Sequence, residues 1–215
     1  MPRIARVVAV GFPHHIIQRG NNRQKVFFAQ ANREKYLDLL KEYSQRWSAS
    51  ILAYCLMDNH IHLLIRPQNQ ESLAKLMQGV TLSYTKYRNK RYNKTGRLWE
   101  SRYYSCVVDE EDYLWAVTRY IEQNPVRARI VQKAENYPYS SAPAHIEDAK
   151  DEILNEILIP ESERSDYIRF IRGSIPEKEM KFIRLSTKRG RPLGDATFLR
   201  KIEKLLNINL RNKPS

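Results

Sequence analysis

A chain of 215 residues is long enough for one full α/β domain with a small appendage, so a sizeable core needs no disulfide or metal staple. Thirty-seven Lys plus Arg against 24 Asp plus Glu leave a net charge of +13, which points to a polyanionic partner, nucleic acid ahead of an anionic membrane. No apolar run approaches the roughly 18 residues that span a bilayer, and the N-terminus has no charged-then-apolar export signal, so a cytoplasmic protein that avoids membranes is expected. Cys55 and Cys106 lie in strand-like apolar runs without repeated C-x-x-C spacing and read as buried reduced thiols.

Residues 3–19 read as an extended lead-in and a strand, in which His15, Ile16 and Ile17 give way to the loop Gln18-Arg19-Gly20-Asn21-Asn22-Arg23. Gly20 and the two asparagines tolerate positive φ and two arginines flank them. Such a loop suits a phosphate backbone, and a surface turn with chance arginines reads the same. Asn32 offers an N-cap for a helix over 33–47, where Tyr36, Leu39, Leu40, Tyr43 and Trp47 recur at helical spacing and predict packing on a sheet. Residues 50–57 are an apolar run of strand length, and Asp58-Asn59 turns it into a second strand ending at Pro67, a hairpin. In that second strand His60, His62, Leu64 and Arg66 share one face, and Ile61, Leu63 and Ile65 the other. Residues two apart on a strand have Cβ atoms about 6.5 to 7 Å apart, close enough for two imidazoles to converge on one ion. A solvated strand face is the alternative reading of that spacing.

Ser72 caps a second helix reaching about residue 92, with Leu73, Leu76, Met77, Val80, Leu82 and Tyr84 as apolar positions. From 86 to 102, Lys86, Arg88, Lys90, Arg91, Lys94, Arg97 and Arg102 stand against Glu100 alone, interleaved with Tyr84, Tyr87, Tyr92 and Trp99. Rings between cations can stack on unpaired bases, so the stretch predicts contact with single strands or hairpins in preference to a solvated face. Residues 96–108 read as a strand with Trp99, Tyr103 and Tyr104 as a half-buried aromatic surface. Asp109 N-caps a helix from Glu110 to about Gln123, stopped by Asn124-Pro125. Tyr113, Val117, Tyr120 and Asn124 share one face of it, with Tyr120 and Asn124 as i, i+4 neighbours.

The order strand, helix, strand, strand, helix, strand, helix predicts an α+β fold built on a ferredoxin-like split βαβ antiparallel sheet over residues 1–145. A mostly helical extension over 146–215 follows. Between 147 and 179 the charge inverts to ten acidic against five basic residues, which suggests a shield over the basic groove. Ile153, Leu154, Ile157 and Leu158, then Tyr167, Ile168 and Ile171, suggest two short helices separated by Pro160. From 181 onward ten Lys plus Arg oppose Asp195 and Glu203. Arg189-Gly190-Arg191-Pro192 is similar to the core of the AT-hook, whose arginines enter narrow A·T minor grooves, and a basic linker before a helix over 195–206 fits equally.

Taken together, Gln18-Arg19-Gly20-Asn21-Asn22-Arg23, the run from Met57 to Leu64, the run from Tyr120 to Ala128 and Gly190-Arg191-Pro192-Leu193-Gly194 resemble the HUH single-tyrosine DNA transposases, and among them the REP-associated tyrosine transposases. The resemblance spans about residues 3 to 145 plus the tail motif. It implies the HUH catalytic domain, Tyr120 as nucleophile, and His60 and His62 as ligands of a divalent metal, Mg²⁺ or Mn²⁺. Asn124 falls where insertion-sequence relatives carry a glutamine as third ligand and is one methylene shorter. The implied partner is single-stranded DNA folded as REP hairpins, nicked and rejoined through a 5′-phosphotyrosine by a monomer, with the helix-swapped dimer of the insertion-sequence relatives as the alternative. Arg19, Asn21, Asn22, Arg23, Lys86, Arg88, Arg97, Arg102, Arg189 and Arg191 are the expected nucleic-acid contacts, and Tyr113 and Tyr84 the fallback nucleophiles. The rival readings are a non-catalytic hairpin DNA- or RNA-binding module of the same fold, a replication or mobilisation nickase, and a phosphodiesterase without a covalent intermediate.

Overall fold

Strand β1 (His14–Arg19) leads into helix α1 (Gln30–Arg46), the hairpin of β2 (Ala49–Met57) and β3 (His60–Pro67), helix α2 (Ser72–Arg91), β4 (Tyr104–Val107) and helix α3 (Glu110–Glu122). In this computed structural model, which describes residues 7–210, the strands form one sheet of order β2-β3-β1-β4 with every neighbour antiparallel. Placing β3 between β1 and β2 is what a split βαβ requires, so the α+β, ferredoxin-like expectation holds. Residues 3–6 of the expected lead-in lie outside the described residues.

The hairpin closes at the pair Met57↔His60 over the turn Asp58-Asn59. That turn is held from outside: Val26 N donates to Asp58 O at 2.7 Å, Gly20 N to Asn59 O at 2.8 Å, and the Asp58 carboxylate pairs with Arg33 and Lys25. Gly20 is needed for this approach rather than for left-handed backbone, since a Cβ there would lie 2.3 Å from Gln24 O. The left-handed positions are Asn22 and Arg23, at φ 50° and 57°.

Ile16, Tyr54, Leu56, Ile61, Leu63 and Ile65 face α1 and α2 and pack on Tyr36, Leu40, Leu76 and Val80. Ala53, Cys55, Leu64 and Cys106 face α3 and pack on Val117, Tyr120 and Ile121. Each fully buried aliphatic side chain contributes roughly 1.5–3 kcal/mol, so both faces of the histidine strand are pinned by burial, and a one-residue slip would reverse them. Gly79 lets the two helices of the first face touch, since a Cβ there would strike the Tyr43 ring at 2.2 Å.

The remaining helices are α4 (Asn124–Arg127), α5 (Ala142–Glu147), α6 (Glu161–Arg172), α7 (Glu177–Arg189) and α8 (Ala196–Leu206). Tyr167, Ile171, Ile183 and Leu193 join the core on the α3 side. Leu193 N donates to Val107 O at 2.7 Å and Asp109 N to Leu193 O at 2.8 Å, so the tail prolongs the sheet beside β4. The α8 helix is N-capped by Asp195, which accepts from Phe198 N at 2.7 Å. No helix among the described residues is long and apolar enough to cross a membrane.

Several expectations change. Helix α1 starts at Gln30, with Asn32 inside its first turn accepting from Phe28 N at 2.9 Å and Ala29 N at 3.1 Å, and Ser72 is the first residue of α2 rather than its cap. The strand expected over 96–108 shortens to Tyr104–Val107, because Leu98, Trp99 and Tyr103 spend their side chains filling the core over α1 and α2. Residues 148–160 form no helix. They strap the free edge of β2, with Asn155 Oδ1 accepting from Ile51 N at 2.7 Å, next to Leu56 N donating to Tyr139 O at 2.9 Å. The acidic segment is not a shield over the basic loop: Glu152 pairs with Lys41, Glu156 with Arg66 and Glu179 with Arg119. The Arg189-Gly190-Arg191 stretch is the end of α7 rather than an extended hook, with Gly190 left-handed at φ 64° and Arg191 N donating back to Ser186 O at 3.0 Å.

Candidate active site

His60 and His62 project from β3 toward α3, with ring centroids 5.1 Å apart. His60 begins the strand opposite Arg19 of β1, and His62 stands opposite Ile17. His60 Nδ1 donates to Asn59 Oδ1 at 2.6 Å, since an amide oxygen can only accept. His62 Nδ1 lies 3.1 Å from Nε2 of His15, a diagonal neighbour on β1. Burial is the main reason that the His60 imidazole is pushed down to about 4, with Arg19 and Arg127 adding to it. His62 is held well below the ordinary range by burial first, then by His60 and His15. Both rings are neutral at pH 7 and each meets its partner through Nδ1, His60 as the donor.

Tyr120 is 3% exposed and lies edge-on to His15 and His62, at 5.7 and 5.6 Å between ring centroids. The guanidinium of Arg127 stands 4.6 Å from the centre of its ring. Asn124 Nδ2 donates to the carbonyls of Tyr120 (2.9 Å) and Ile121 (3.0 Å), ending α3, while its Oδ1 accepts from Arg127 Nη2 at 2.8 Å. Asn124 could reach an ion only with the second lone pair of that oxygen. The fallback tyrosines lie elsewhere: Tyr84 is buried on the opposite face with its hydroxyl on Val26 O, and Tyr113 packs on Phe182.

Two neutral imidazoles side by side on one strand face fit a divalent cation. Among the described residues no group of three His, Cys, Asp or Glu is arranged to hold one ion, so further donors would be amide, water or phosphate oxygens.

The basic candidates divide by position. Asn21 N donates to Leu98 O at 2.8 Å and Glu100 N to Arg19 O at 2.9 Å, which lays the 19–23 loop against residues 97–102. Arg19, Asn22, Arg23, Arg97 and Arg102 are exposed on this rim, with Asn21 half-buried among them, and Lys86 is exposed on α2. Arg88 does not join them. It is 6% exposed with its guanidinium 5.4 Å from the Phe28 ring centre, and so serves packing. Arg189 is exposed and Arg191 half-buried at the end of α7. Tyr84 and Trp99 are not stacking platforms either, since both lie in an aromatic cluster with Tyr36.

Two neighbours of the tyrosine were not singled out from the sequence as site residues, His15 and Arg127. The available signals were the place of β1 beside β3 in a split βαβ and the position of Arg127 within the Tyr120 motif.

Residues 10–124 match the model of a family described as Transposase IS200 like. The chain belongs to that family. Among the curated relatives of this IS200-like transposase is a candidate REP-associated tyrosine transposase of Haemophilus influenzae, 25% identical over 126 residues, which are 54% of this chain and 70% of the relative. Among solved structures, a REP-associated tyrosine transposase bound to a REP hairpin superimposes with a TM-score of 0.59 over 75% of this chain and 96% of that one, at 13% identity. This second likeness concerns the fold.

Proposed function

We propose that this IS200-like transposase nicks and rejoins single-stranded DNA at REP-like hairpins, with Tyr120 as nucleophile and a divalent metal, Mg²⁺ or Mn²⁺, on His60 and His62. The observation that carries the reading is the meeting of the Tyr120 ring with the imidazole face of the sheet, although the two elements are far apart in sequence. When bound, the ion would act as a Lewis acid on the scissile phosphate. Tyr120 Oη forms a bond to phosphorus and the bond to the 3′ oxygen breaks. The phenol proton ends on that oxygen, giving a 5′-phosphotyrosine and a free 3′-hydroxyl. A phenol, with a pKa of about 10, leaves more readily than an alkyl alcohol, so the step reverses for rejoining without ATP. Arg127, whose Nη1 is buried without a hydrogen-bond partner, is a donor for a phosphate oxygen beside the ring. Arg19, Asn21, Asn22, Arg23, Arg97 and Arg102 form the rim on which the hairpin backbone would lie, with Lys86, Arg189 and Arg191 as outlying contacts. In this reading residues 1–145 carry the chemistry and 146–215 complete its support in a monomer.

The test is incubation with hairpin-bearing single-stranded oligonucleotides and Mg²⁺, followed by denaturing electrophoresis. A covalent protein–DNA adduct is expected, and Tyr120→Phe should abolish it. Cleavage that persists in Tyr120→Phe would mean hydrolysis without a covalent intermediate. Tight binding with no cleavage would favour the non-catalytic module, toward which the engaged Asn124 oxygen leans.

A further inference from the structure

The two imidazoles of the candidate metal pair are anchored differently. His60 is held by Asn59 beside it in the chain, whereas His62 is held by His15, and His15 Nδ1 by Thr187 Oγ1 of α7 at 2.8 Å, 172 positions away. The protons along this relay follow by elimination. The Ile183 carbonyl has no proton to give, so its 2.8 Å contact with Thr187 Oγ1 uses the hydroxyl proton. Oγ1 then has only lone pairs for His15 Nδ1 and for Cys106 Sγ at 3.3 Å, and both must donate. A neutral imidazole that donates from Nδ1 accepts at Nε2, so the proton between the two histidines belongs to His62 Nδ1. The lone pair of His62 is thereby placed on Nε2. The opposite polarity would turn an unprotonated Oγ1 toward the Ile183 carbonyl. That is costly here, because His15, Cys106 and Thr187 have no exposed surface and His62 is 3% exposed, so no water relieves the mismatch.

We propose that His15 and Thr187 are positioning residues that hold His62 in the Nδ1–H tautomer, presenting Nε2 to the metal, so that α7 belongs to the metal site without supplying a ligand. This rests on the reading of His62 as a ligand. Outer partners of this kind fix the ring and tautomer of a metal-binding histidine. Cys106 makes the relay selective to probe, since it touches Thr187 Oγ1 without lying between Thr187 and His62.

Long-range ¹H–¹⁵N spectra of the ion-free, full-length protein read the tautomer of His62 directly. Wild type, Thr187→Ser and Cys106→Ala should show His62 protonated at Nδ1. Thr187→Val, which keeps the shape but lacks the hydroxyl, and His15→Phe should shift His62 toward Nε2–H or into exchange. Mn²⁺ titrations of the same proteins, followed by electron paramagnetic resonance, should weaken about 10- to 100-fold in Thr187→Val and His15→Phe and stay unchanged in Thr187→Ser. An unmoved His62 signal in either folded disruptive variant overturns the relay, as does a Thr187→Ser signal that follows Thr187→Val. A tautomer that moves as expected in a protein that takes up no Mn²⁺ even as wild type overturns the metal reading instead, leaving a buried hydrogen-bond relay only.

Discussion

His14 and His15 are adjacent on β1 and point to opposite faces of the sheet, so neighbouring imidazoles carry separate tasks. His14 donates from Nδ1 to Phe12 O at 2.8 Å and accepts from Ala9 N at 3.2 Å, and burial pushes it down to about 4 against the weaker opposing effect of the Phe12 bond. Its folded value lies below the unfolded 6.5, so the unfolded chain takes up the proton first. Above about pH 6.5 this costs nothing, and stability is lost as pH falls from 6.5 toward 4. Urea unfolding at pH 7 and pH 5 should differ by on the order of 2 kcal/mol from His14 alone. His14→Gln should show a smaller difference, and an equal one would count against the assignment. Arg127 carries the other residue-scale expectation. Removing a preorganised donor from a developing anion costs about 10²-fold, so Arg127→Gln should slow adduct formation by that order in a timed quench, while hairpin affinity changes little.

At the scale of elements, α3 has to present Tyr120 to β3, and one carboxylate fastens it. Glu122 is fully buried, its Oε1 accepting from Ser141 Oγ (2.5 Å) and His145 Nδ1 (2.6 Å) and its Oε2 from the Tyr167 hydroxyl (2.7 Å), which binds α3 to α5 and α6. Glu122→Ala would strand the buried His145 and Tyr167 donors and leave Ser141 Oγ only its 3.4 Å contact with Tyr54 O, and should lower the unfolding free energy by about 3–5 kcal/mol in urea titration, with Glu122→Gln losing less. The limits of α3 were legible in the sequence, because Asp109 caps it through Glu111 N and Asn124-Pro125 ends it. Of the four rings between Tyr84 and Trp99, two were misread as stacking platforms. Periodicity tells which rings share a face but not what covers it, and here α1 covers it, so Tyr84 and Trp99 meet Tyr36.

Across the whole molecule, residues beyond 146 are woven into the sheet rather than hung beside it. They close the free edge of β2 with Asn155, extend the β4 side with Leu193, and bring Thr187 over His15. Truncation after residue 146 should therefore remove the sharp calorimetric transition and raise binding of a hydrophobic dye, in contrast to the stronger single-strand binding that an acidic shield would predict. A truncated chain that melts sharply would show that the extension is dispensable to the fold.

The sequence by itself determined the two imidazoles on one face of a strand and the Tyr120–Asn124 face of a helix, because periods of 2 and 3.6 follow from backbone geometry within a few residues. Only the tertiary structure decided that His15 and Thr187 complete the histidine pair, that Arg88 is a packing residue, and that residues 148–160 form a strap. These depend on which strand adjoins which and which face is covered, and such contacts join residues between which the chain carries no local repeat.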